Sequence, residues 1–149
     1  MTTNFLFIVH SFCCFFMTGL IWLIQLVHYP SFNYISKNEF NLFHAFHSQV
    51  ITFVVGPIML VELGTSLFLV LNQKLSLISC LNFLGLVLIW IATAFLSVPT
   101  HNKLGTAVNA ESIAFLISTN WIRTVLWTMR SGLLIYSLTV SLKDNEIHF

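Results

Sequence analysis

Four apolar runs divide the chain, at residues 5–27, 50–71, 75–98 and 121–142, with an apolar approach to the last from Ile113. Each has the length, about 20 residues, that an α-helix needs to cross a hydrocarbon core of about 30 Å. Nearly every ionisable residue falls between the runs or at their ends. The pattern predicts an all-α, multi-pass integral membrane protein, an up-down four-helix bundle made of a single domain, 1–149. Four crossings put both termini on one side of the bilayer, side A, and two loops on the other, side B.

Turn and cap signals set the expected boundaries. Tyr29-Pro30 should end the first helix, because proline disfavours helix for the residue before it. Ser36-Lys37-Asn38-Glu39 has capping-box spacing, the serine accepting from the Glu39 amide while the carboxylate reaches back. A helix begun there runs through an interfacial extension, 37–49, straight into the second span. From Lys37 to Leu71 it measures about 52 Å, more than the bilayer core needs. Gly56-Pro57 is the expected bend, since Pro57 leaves the Phe53 carbonyl without its partner. Asn72-Gln73-Lys74 is a short link that makes the second and third spans an antiparallel pair. Pro99 should close the third span, Asn109 should cap the fourth helix with Glu111 in its first turn, and 143–149 reads as a polar tail.

Composition agrees with the pattern. The chain is 57% hydrophobic and 7% charged, with a mean hydropathy of +0.89, more apolar than a soluble domain of 149 residues could bury. A net charge of +1 with no basic stretch argues against nucleic acid as a partner. The first run lacks a basic n-region and a small-residue cleavage site, which makes it a retained helix rather than a signal peptide. Cys13, Cys14 and Cys80 lie in apolar runs as buried thiols, with no disulfide or zinc spacing. Lys74 and Lys143 on side A balance Lys37 and Lys103 on side B, so loop charge assigns no orientation.

Helical spacing sorts the polar residues onto faces. His44, His47, Ile51, Val55, Ile58 and Glu62 share one stripe of the second helix, and Asn120, Arg123, Trp127 and Arg130 share one of the fourth. Thr18, Trp22, Gln25 and His28 line a third on the first helix. These stripes should face inward, because a charge facing lipid costs roughly 2.5–3.5 kcal/mol even on the lenient insertion scale. Glu62 lies about 22 Å beyond His47, too far to share one metal with it, but level with Arg130. The two should pair near mid-membrane, either as a structural ion pair fixing helix register or as a buried charge site for substrate or protons.

Side B gathers His28, His44, His47 and His101. Two imidazoles at i, i+3 with two more from neighbouring spans make a ligand set suited to zinc, copper or iron, and opposed histidines can bracket a haem. Interfacial histidines bonded to loop backbone and headgroups are the plainer alternative. Arg123 always carries its charge, and its fork suits a carboxylate, phosphate or polarised oxygen. With Asn120 before it and Trp127 after it, it would form the polar mouth of a greasy pocket for a lipophilic small molecule.

Val98-Pro99-Thr100-His101-Asn102-Lys103-Leu104, followed by Asn120-Trp121-Ile122-Arg123-Thr124, resembles the anthrone-oxygenase-like family of small four-span integral membrane proteins. There a P-x-N-x-x-L string precedes a polar string ending in Arg-Thr. Pro99, Leu104 and Arg123 match, and His101 stands at the asparagine. The resemblance implies oxidation of an anthrone to a quinone by molecular oxygen, without an established metal. The residues themselves make Arg123, Asn120 and His101 the candidate catalytic groups. Read from the residues, the first expectation is a histidine-lined redox or oxygen-using site on side B, with His28, His44, His47 and His101 holding a metal or haem or acting as acid and base. The second is a non-enzymatic membrane component, a transporter subunit or a structural partner, in which Glu62, Arg130 and Asn82 are packing or permeation groups. A homo-oligomer or a membrane-complex partner would fit that reading.

Overall fold

A computed structural model describes the backbone of residues 2–72 and 76–146 and the side chains of 3–72 and 76–141. The Gln73–Lys74 link, the Lys143 side chain and His148 lie outside the described residues. All regular structure among those described is helical. It forms four long helices: α1, Thr3–Tyr34; α2, Lys37–Asn72; α3, Leu77–Thr106; and α4, Ala110–Glu146. Helix α1 packs on α2 and α4, and α3 packs on the same two, so each helix has two neighbours. Three of the four, α1, α2 and α3, are long and apolar enough to cross a membrane. Helix α4 has 37 residues, and its side chains beyond Ser141 lie outside the described residues.

Burial is inverted relative to a water-soluble protein. Phe12, Phe53 and Phe95 are exposed, while His10, Gln25, Glu62, Asn82, Asn120, Arg123 and Arg130 are buried. An apolar exterior around hydrogen-bonded polar groups is the arrangement that hydrocarbon surroundings select. Between these groups an apolar core of Met17, Ile21, Phe32, Phe40, Ile89, Leu104, Leu116 and Trp127 fills the interior. On α1 the inward row is Cys14, Met17, Ile21 and Gln25. Trp22, expected in that row, is 36% exposed and instead donates from its ring to Thr128 at 3.0 Å.

Two boundaries differ from expectation for one reason. Helix α1 does not end at Tyr29-Pro30, and α3 does not close at Pro99. Each opens into a π turn just before its proline, at Ile24–His28 and Thr93–Ser97. The Tyr29 amide donates to the Ile24 carbonyl and the Val98 amide to that of Thr93, five residues back. This wider turn shifts the carbonyls that an α-helical register would aim at the proline nitrogen, so the chain stays helical. Helix α2 likewise passes through Pro57 unbroken. The Ser36 hydroxyl donates directly to the Glu39 carboxylate at 2.6 Å, in place of the reciprocal backbone capping box. Asn109 does cap α4, accepting from the Ser112 amide at 2.7 Å. The fourth helix therefore starts at Ala110 and runs on to Glu146, into the segment expected to be a polar tail.

Gly85 lets the Arg130 stem cross α3. A Cβ there would lie 3.0 Å from both Arg130 Cγ and Cδ. The guanidinium beyond is held at several points, so the stem has little room to yield. Gly85→Ala is expected to cost about 1–3 kcal/mol in a thermal melt, as overpacking does. An unchanged melting temperature would show that Arg130 moves aside freely.

Candidate functional site

Where the π turns of α1 and α3 meet the second turn of α2 and the third and fourth turns of α4, one hydrogen-bonded chain links all four helices. His44 Nε2 and His101 Nδ1 lie 3.0 Å apart, and His101 Nε2 is 3.1 Å from the Tyr29 hydroxyl. Arg123 donates to the Tyr29 hydroxyl at 3.3 Å and to the Asn120 side-chain oxygen Oδ1. Asn120 in turn donates to Gln25 Oε1 at 2.8 Å, and Gln25 donates to the Ile117 carbonyl at 3.2 Å. The π turn of α1 aims Gln25 and Tyr29 inward together, and that of α3 precedes His101 by one helical turn. Wide turns of this kind recur at functional sites.

All four side B histidines come together. His28 Nε2 and His47 Nδ1 lie 2.7 Å apart, and the His47 and His101 ring centres are 5.6 Å apart. Gly105 lies beside His44, whose ring would meet a Cβ at that position in ordinary contact at 3.7 Å. Each nitrogen–nitrogen pair holds one proton between two rings, so neither pair can carry both rings as imidazolium. The four histidines lie outside the four apolar runs, and burial lowers the proton affinity of each. At His47 the neighbouring His28 and His44 add to burial and bring the pKa to about 4. At His101, His44, His47, Arg123 and His28 add to burial and bring it to about 3. Near neutral pH these rings are uncharged.

The pairing also bears on a metal. Among the described residues no group of three or more His, Cys, Asp or Glu is arranged to hold a metal ion. His28 faces His47 and His44 faces His101 through ring nitrogens at 2.7 and 3.0 Å, while His47 Nε2 is buried without a partner.

A cavity of about 560 Å³ adjoins the chain. Tyr29, His44, His101 and Arg123 line it beside Met17, Ile21, Met59, Trp90 and Trp127. Its volume lies within the range of small-molecule sites, and its make-up, mostly apolar with a few converging polar groups, is theirs too. Ser48 Oγ, Trp90 Nε1 and Arg123 Nε are buried without a hydrogen-bond partner at its walls.

Deeper in, Arg130 donates to Glu62 Oε1 at 2.6 Å, with both side chains fully buried. Its other nitrogens reach Asn82 Oδ1 at 3.0 and 3.2 Å and the Asn82 carbonyl at 3.0 Å. Trp127 donates to Glu62 Oε2 at 3.3 Å. His10 completes this cluster, 3.1 Å from both Asn82 Oδ1 and Thr65 Oγ1. Sequence reasoning left His10 alone and used Tyr29 only as a helix end. An ionisable residue in mid-span was the signal for the first; none pointed to the second.

No protein-family model, curated protein or solved structure matches the chain. Fold and site define its class by themselves: a small helical protein with an apolar exterior, a buried ion pair and an imidazole-lined cavity.

Proposed function

We propose that this chain is an integral membrane up-down four-helix bundle, its termini on one side, that binds a lipophilic oxygen-bearing molecule and oxidises it. The supporting observation is the cavity that joins apolar walls to the His44–His101–Tyr29–Arg123 relay. Neutral imidazoles act as the base, Tyr29 passes the proton and Arg123 holds the oxygen that gains charge. The nitrogen pairing favours this acid–base role over metal or haem ligation. The likeness to the anthrone-oxygenase-like family supports molecular oxygen as the acceptor. For a substrate of that type, one methylene and one dioxygen give one carbonyl and one water. Tyr29 takes the methylene proton as its own passes to His101 Nε2, while the adjacent oxygen, now an enolate, rests on Arg123 and its charge raises the proton affinity of the ring.

The test is oxygen uptake by purified protein supplied with an anthrone, alongside metal analysis and an absorption spectrum. Wild type should consume oxygen without stoichiometric metal or a visible chromophore. His101→Ala should lose about 10²–10⁴-fold in rate, the usual worth of a positioned base, with substrate still bound. One metal per chain, lost on replacing His44 and His47 by alanine, would overturn the acid–base assignment.

A further inference from the structure

Arg123 is 7% exposed, lines the cavity and has no carboxylate beside it. Among the described residues the sole ion pair is Glu62–Arg130. The acceptors of Arg123, Tyr29 and Asn120, are neutral, and its Nε is buried without any partner. A permanent cation withdrawn from water without a counter-charge is costly, and an anion delivered by a ligand relieves that cost. Arg130, the other buried arginine, shows the contrast, since Glu62 neutralises it at 2.6 Å.

The shape of the cavity specifies the rest of the ligand. Its α2 wall steps from Asn41 through His44, Ser48, Thr52 and Gly56 to Met59. That stripe spans about 27 Å at 1.5 Å per residue, with the polar groups toward one end and Met59 at the other. Thr52 on α2 and Val98 on α3 both line the cavity and are exposed, so it opens sideways along the α2–α3 seam. In a bilayer that opening faces lipid.

We infer that the cavity takes an elongated amphiphile with one acidic oxygen head group, entering laterally between α2 and α3 and seating its head on Arg123. The inference rests on the membrane-pocket reading above and names its ligand class. The head pairs with the unpartnered Nε of the guanidinium. The tail lies along Val55, Gly56 and Met59.

The experiment measures binding to protein reconstituted in zwitterionic bilayers, by quenching of tryptophan emission, since Trp90 and Trp127 line the cavity. The probes are a long-chain carboxylate, its methyl ester, and acetate. Wild type should bind the carboxylate at least about tenfold more tightly than the ester, and acetate far more weakly. Arg123→Gln should bring carboxylate and ester to equal affinity. Gly56→Leu, which adds bulk where a Cβ meets nothing within 4 Å, should weaken both long-chain probes while leaving the relay untouched. If Arg123→Gln fails to fold, the wild-type ratio and Gly56→Leu decide. Equal binding of ester and carboxylate by wild type overturns the acidic head and leaves the pocket standing. Acetate binding as tightly as the long chain overturns the tail. No binding of either long-chain probe, or indifference to Gly56→Leu, overturns the pocket reading together with this inference.

Discussion

Glu62→Ala is expected to destabilise the protein by about 3–5 kcal/mol, the usual cost of stranding one partner of a buried pair. The change removes the Arg130 counter-charge at 2.6 Å and leaves Trp127 Nε1 without its acceptor. Asn82 still accepts from Arg130, but a neutral oxygen cannot balance the charge. Adding Arg130→Met should recover much of the loss, because no ion then remains buried. It should not recover all of it, since the Trp127 N–H and the Asn82 oxygens are left short of partners, at about 1–3 kcal/mol for each unsatisfied group. Snorkelling and water defects reduce both figures in a membrane, but not their order. Melts of the single and double variants in one detergent give the comparison. Equal losses would mean that Glu62 and Arg130 contribute independently, and that the 2.6 Å contact carries no coupling.

Acidification should weaken the fold through the histidine pairs. The pKa of His47 in the folded state, about 4, and that of His101, about 3, lie below the ordinary 6.5. Between those values the unfolded chain holds more protons than the folded one, so stability is full above pH 6.5 and falls as the pH drops toward them. At pH 5 the deficit is roughly 2 kcal/mol for each of the two rings, at 1.36 kcal/mol per pH unit below 6.5. Protonating the second ring of a pair also replaces an N–H···N bond by two donors facing each other. Melting temperatures measured from pH 8 to pH 5 should therefore fall. A chain carrying His47→Gln and His101→Asn should show a flatter profile, which separates the tetrad from His10 and the carboxylates. A wild-type profile that is flat, or that rises toward pH 5, would sink this account.

Much of the architecture was open to inspection because hydrophobicity is local. Four apolar runs declare four helices whatever their neighbours do, and the Asn109 cap is set within one turn by Ser112. Face assignment by period followed equally directly for α4, where Asn120, Arg123, Trp127 and Arg130 are all buried. It was less sound on α1, where Trp22 reads as part of the polar stripe but turns outward to Thr128. The prolines misled for a related reason. A proline penalises the α-helical register, and the sequence carries no mark that a π turn will absorb the penalty.

By itself the sequence determined that this chain is helical and suited to lipid, which residues are too polar to face hydrocarbon, and roughly how deep each lies. Those properties follow from composition, period and rise per residue, all fixed along the chain. Which polar groups touch was decided only by the tertiary structure. His28 meets His47 while His44 meets His101, Tyr29 bridges histidine to arginine, and His10 joins the Glu62–Arg130 pair through Asn82. Each of these contacts depends on the rotation of one helix against another and on the register set by two π turns. Arg130 received a carboxylate from α2 and Arg123 did not, and that difference between two similar arginines follows from packing across helices.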